Sequence, residues 1–177
     1  MPIIAQDSGG KDFKPAPEGL HAAVCVDVVD LGVMENKFNP DKPQHKCRII
    51  WQLEERDPEN NDKRFVVARM YTISLNEKAT LRKDLESWRG RAFTEEELNG
   101  WDVESVITVP ALINVVHNAA NGSVYANVAT IMRVPKGMPI PAIDPTYVRV
   151  QDRPKDENAG APPNDADWQV TDDDVPF

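Results

Sequence analysis

The six residues Asp172-Asp173-Asp174-Val175-Pro176-Phe177 set three carboxylates beside a short apolar tip, and Phe177 is expected to carry the free α-carboxylate. Such a peptide can dock as a hook: ring and valine in an apolar pocket, terminal carboxylate against an Arg or Lys, aspartates along a basic rim. Pro176 fixes one backbone angle, so less freedom is lost on docking. A tail that only solubilises needs charge but no Val-Pro-Phe tip. A second group lies mid-chain, where bases and aromatics interleave: Lys37, Phe38 and Lys42, then Lys46 and Arg48, then Phe65, Arg69 and Tyr71. Aromatic faces for stacking bases, with cations following the phosphates, are what a sequence-tolerant single-strand binder requires. Tyr125 is a further candidate, to stack or to pack. Signals for catalysis are poor. His21, His45 and His117 are scattered, and His45 and Cys47 share a strand face but have only Cys25 as a further thiol and no Cys-x-x-Cys. Neither a Gly-rich phosphate loop nor a nucleophile elbow is present. The expectation is a binding protein that is not an enzyme and uses no metal or cofactor.

The elements that must position these residues follow from periodicity. Residues 1–18 read as a leader, broken by Ser8-Gly9-Gly10 and Pro15-Ala16-Pro17, with Lys11, Phe13 and Lys14 alternating base and aromatic. A first strand is predicted at 20–31, ended by Gly32, and a loop at 33–43 holds Lys37, Phe38 and Lys42. A second strand at 44–54 puts Cys47, Ile49, Trp51 and Leu53 on one face and Lys46, Arg48, Ile50 and Gln52 on the other. A third at 64–74 groups Phe65, Val67, Arg69, Tyr71 and Ile73. An unpaired guanidinium is costly to bury, so Arg69 is expected to keep that face partly open, with Tyr71 beside it; Phe65 is equally readable as core. Trp51 is expected in the core. Leu81, Leu85 and Trp88 then repeat at helical spacing over 77–89, closed by Gly90, and Thr94-Glu95-Glu96-Glu97 is a capping-box signature. Arg89 and Arg91 could grip phosphate or satisfy carbonyls at the helix end. Strands at 106–117 and 123–134 flank the Asn121-Gly122 hairpin turn, and a proline-bearing strap follows. Three strands, a helical insert and a hairpin is the order of an OB-fold: a mainly β, five-stranded barrel with a helix between strands three and four. The insert offers either a homodimer surface or a plug for the barrel end.

Charge separates body from tail. Of 20 bases and 29 acids, residues 151–177 hold two and eight, so the net −9 divides into −6 there and −3 over 1–150. A body so nearly balanced must gather its bases on one face to hold phosphates. The domain reading is leader 1–18, OB-fold body 19–150, and a disordered acidic tail 151–177. No apolar run has transmembrane length and no basic-then-apolar leader is seen, so a cytoplasmic protein with no membrane contact is expected.

The ending Asp172 to Phe177 resembles the acidic C-terminal tail of bacterial single-stranded DNA-binding proteins, which usually closes Asp-Asp-Asp-Ile-Pro-Phe; only Val175 differs. More faintly, Tyr71-Thr72-Ile73-Ser74-Leu75, Leu81-Arg82-Lys83-Asp84-Leu85 and Trp88 through Thr94 are similar to phage-encoded single-stranded DNA-binding proteins of replication modules. The long helical insert departs from the bacterial bodies. The resemblance implies protection of single strands during phage replication or recombination, in the host cytoplasm, with replication or recombination proteins recruited by the tail; the alternatives are a replication adaptor that binds protein only and a DNA-processing nuclease.

Overall fold

The computed structural model describes residues 14–154; the hook at 172–177, and Lys11 and Phe13, lie outside the described residues. Among the described residues five strands are present: β1 Gly19–Met34, β2 Gln44–Asp57, β3 Lys63–Thr72, β4 Pro110–Ala120 and β5 Ser123–Met132. They form one antiparallel sheet in the order β3-β2-β1-β4-β5. Two register shifts along β1, at Cys25/Asp27 and Asp30/Gly32, let this long strand serve both halves of the sheet. Its first part pairs with β4 and the rest with β2. Gly32, expected to end the strand, instead sits inside it at φ +72°, its N–H donating to Asp30 Oδ1 at 2.8 Å, and β1 runs on to Met34. β3 and β5 form the edges. They approach where Arg69 Nη1 donates to the Ala129 carbonyl at 3.4 Å, with no ladder between them.

The period-two pattern of β2 is borne out: Cys47, Ile49, Trp51 and Leu53 are all buried in the main core. Helix α1 (Thr80–Arg89) lays Leu81, Leu85 and Trp88 on that core, and Trp51 meets Trp88 with ring centroids 5.8 Å apart. Gly90 ends α1 at φ +74° and donates to the Glu86 carbonyl at 2.9 Å. The capping box forms as the sequence suggests, Thr94 and Glu97 exchanging bonds of 3.2 and 3.0 Å around the short helix α2 (Glu95–Leu98). The fourth strand starts four residues later than expected. Val103–Val106 is a single 3₁₀ turn capped by Asp102, and Thr108 takes φ +76° so that its N–H reaches the Cys25 carbonyl at 2.8 Å.

After β5 the chain crosses to the outer face of the sheet. Ile143 and Tyr147 of this strap pack on Val24, Val26 and Ile50, beside Val29 and Ala68. The strap is fastened at the first bulge of β1. There the wholly buried Asp27 accepts hydrogen bonds from Tyr147 Oη (3.2 Å), Arg149 Nε (3.0 Å) and the Val150 N–H (2.7 Å). Arg149 also pairs with Glu104 at 2.8 Å.

Removing Asp27 takes the shared acceptor from the Tyr147 hydroxyl, the Arg149 guanidinium and the Val150 N–H, leaving Arg149 only Glu104, and breaking such a buried ionic network costs about 3–5 kcal/mol. Asp27→Ala is therefore expected to lower the urea unfolding free energy by about that amount. A change below about 1 kcal/mol would show that the strap holds without its latch. The core thiols provide a second check. Burial pushes both Cys25 and Cys47 up to about 12, so neither should react with a thiol reagent at pH 8 until the chain is unfolded.

Candidate nucleic-acid interface

Pairing of β1, β2 and β3 sets outward side chains in transverse rows: Gly32–Lys46–Thr72, Val29–Arg48–Met70, Asp27–Ile50–Ala68 and Val24–Gln52–Val66. The strap lies over the last two rows, through Ile143 and Tyr147 and through the Asp144 N–H, which donates to Gln52 Oε1 at 3.0 Å. The first two rows lie toward the β1–β2 loop, residues 35–43. That loop displays Phe38, 49% exposed, between exposed Lys37 and Lys42. Arg48 is half-buried and Lys46 is buried at 6% exposure, and both are engaged in contacts within the chain.

The reading of β3 needs correction. The face holding Phe65, Arg69 and Tyr71 is not open: Phe65 and Tyr71 are 7% and 1% exposed and belong to the core. The premise that Arg69 would keep the face open fails because Arg69 has a partner. Its Nη1 lies 3.1 Å from Asp84 Oδ2 of α1, whose same oxygen accepts from Tyr71 Oη at 2.7 Å. The guanidinium also sits 5.5 Å from the Tyr71 ring centroid. Burial first, and the Asp84 carboxylate next, push the Tyr71 phenol well above its usual value. Neither ring can stack on a base without unpacking the core. Tyr125, half-buried, pairs with Asn118 near the β4–β5 turn. By register, that turn leaves the sheet beyond the start of β1, while the 35–43 loop leaves from its end.

Arg89 and Arg91 both meet a carboxylate at the end of α1. Both close on Glu97, at 2.7 and 3.5 Å, and Arg89 lies 4.3 Å from the Phe93 ring centroid, so they tie α2 to the end of α1. His45, at the loop end of the sheet, meets Asp30 Oδ1 at 2.6 Å. The Gly32 N–H, and then His45, hold the Asp30 carboxyl below its usual range. Among the described residues, no three His, Cys, Asp or Glu side chains gather as a metal set.

No protein-family model and no curated protein matches this chain.

The strap was the feature hardest to anticipate. Its prolines announced an extended segment, but not where it would lie. The one available signal was Asp27, an acid inside a run of valines in β1, which required a cation from elsewhere.

The helical corner gives a pH prediction. The Thr94 N–H, and then Arg89, hold the Glu97 carboxyl below its usual value of 4.5. A group depressed in the folded state stabilises fully above its unfolded pKa and loses that contribution as pH falls through the folded one. The urea midpoint should therefore be level above about pH 5 and fall below about pH 4. Glu97→Gln should be less stable than the wild type near neutrality and should flatten that dependence. An unaltered acid limb in the variant would remove Glu97 from the account.

Proposed function

We propose that this chain binds single-stranded DNA without strong sequence preference during phage DNA replication or recombination. Its body is an OB-like barrel, and the tail at 172–177 recruits replication or recombination proteins. The sheet order, the helix between β3 and β4, and the approach of β3 to β5 at Arg69 support the barrel reading. The observation that carries the binding reading is the end of the outer face that the strap's apolar contacts leave aside. There the row through the half-buried Arg48 adjoins the loop that displays Phe38 between Lys37 and Lys42, while the buried Lys46 is engaged in contacts within the chain. An exposed ring flanked by cations is the unit from which stacking platforms with phosphate contacts are built. Phe65 and Tyr71 take no part; Tyr125 is at most a peripheral contact. Arg69 serves by linking β3 to α1 and to the Ala129 carbonyl of β5.

A second reading, a replication adaptor that binds protein only, is favoured by the burial of Lys46, Phe65 and Tyr71, which removes three expected strand contacts. Phe38→Ala with Arg48→Gln separates the two. Stacking on an aromatic is worth about 1–3 kcal/mol per base, so the double variant should bind labelled oligo-dT about tenfold or more weakly by anisotropy, with its thermal midpoint little changed. Wild-type affinity for duplex should be lower than for oligo-dT. Absence of oligo-dT binding by the wild type at low salt leaves the adaptor.

A further inference from the structure

A cleft of about 360 Å³ opens between the strap and the outer face of β2 and β3. Gln52 and Val66 form its sheet side, Tyr147 and Val148 its strap side, and Lys63, Arg64 and Arg153 bring three cations against the single carboxylate of Asp144. The volume falls near the lower end of the roughly 300–1,000 Å³ typical of small-ligand sites, which suits one nucleotide-sized group. Asp144 is already committed: the hydroxyl and then the N–H of Thr146 bond its carboxylate and hold it below its usual range, with Arg56 and Arg64 adding attraction. Arg153 is braced, its Nε donating to the Val148 carbonyl at 3.0 Å and its guanidinium 5.6 Å from the Tyr147 ring centroid. Arg64 donates to the Leu53 carbonyl at 3.4 Å. The cleft is thus a preformed cationic recess with apolar walls.

We infer that this cleft holds the phosphodiester backbone of the bound strand as a second anchor, so that the strap is part of the DNA interface. The inference rests on the single-strand reading above and extends it to a site at the other end of the same face. β3 runs ten residues from Lys63 to Thr72, about 30 Å at strand rise, a length suited to the several nucleotides an OB-like body engages. Ile143 and Tyr147 cover the sheet between the two ends, so the strand follows the strap rather than the bare strands. Phosphate is favoured over an acidic peptide because the recess lies on the same outward face of the sheet as the loop that displays Phe38 between the exposed Lys37 and Lys42.

The test compares full-length wild type with Lys63→Gln/Arg153→Gln on oligo-dT of graded length across salt. Each phosphate contact in single-strand binding contributes about 0.7 to the slope of log affinity against log salt. The double variant should lose about 1.4 from that slope on long oligonucleotides and lose little on those too short to span both ends. Asp144→Asn, which keeps an acceptor for the Thr146 N–H, should tighten long-oligonucleotide binding; this arm stands even if the double variant does not fold. Wild type that binds strands, with neither variant altered in slope or affinity, overturns the second anchor while leaving the single-strand reading intact. Wild type that binds no strand fails that reading itself. If the double variant keeps its strand binding but loses affinity for a peptide of residues 166–177, the cleft is an acidic-peptide site and the inference is wrong.

Discussion

The carboxylate of Asp27 is wholly buried at a bulge of β1, and the outer half of the structure depends on its neutralisation. Taking such an ion out of water costs several kcal/mol unless it is paired and hydrogen-bonded. The partners come from about 120 residues further on, where Tyr147, Arg149 and the Val150 N–H converge. That requirement fixes where the chain goes after β5: it must cross the outer face, and in crossing it deposits Ile143 and Tyr147 on Val24, Val26 and Ile50. The strap therefore sets what the sheet can offer a ligand. It removes the middle of the β2–β3 face and walls the cleft at Arg153.

A second pairing governs the inner face in the same way. Arg69 and Tyr71 both end on Asp84 Oδ2, so β3 is fastened to α1, and Arg69 reaches on to β5. Arg89 does the corresponding work for α2 through Glu97. Three arginines thus serve as internal ties, at Asp27, Asp84 and Glu97. Among the described residues, cations gather at both ends of the outer face, Lys37 and Lys42 in the loop and Lys63, Arg64 and Arg153 at the cleft, while exposed Lys78, Lys83, Arg133 and Lys136 lie elsewhere. This division lets a body with net charge −3 over residues 1–150 present local positive potential.

Much of the scaffold could be read from local pattern. Alternation in β2, the Leu81-Leu85-Trp88 stripe, the Thr94 capping box and the Asn121-Gly122 turn are short-range signals, and each produced its element. The failures came where a distant partner decided the outcome. Tyr71 is expected beside an open Arg69 because Asp84, the partner that closes the face, lies on another element, and Phe65 takes the core side of its two readings. Gly32 looked like a terminator because a bulge inside a strand has the same local chemistry as a strand end. Val106, Ile107 and Val109 fit a strand by type, whereas Thr108 is drawn instead to the Cys25 carbonyl, so β4 starts only at Pro110. The candidate site was legible in its loop, at Lys37, Phe38 and Lys42, and not in its boundary, because the strap that draws that boundary is held by an ion pair the sequence leaves unmatched.

In the proposed reading a single strand engages the outer face from the 35–43 loop along the strap. Amide hydrogen exchange with and without saturating oligo-dT tests it most directly. The account predicts slowed exchange in segments 35–48 and 144–153 together, with the inner-face helix α1 unchanged. Slowing confined to α1 and the β4–β5 turn, or no slowing at all in a chain shown to bind the strand, would contradict it.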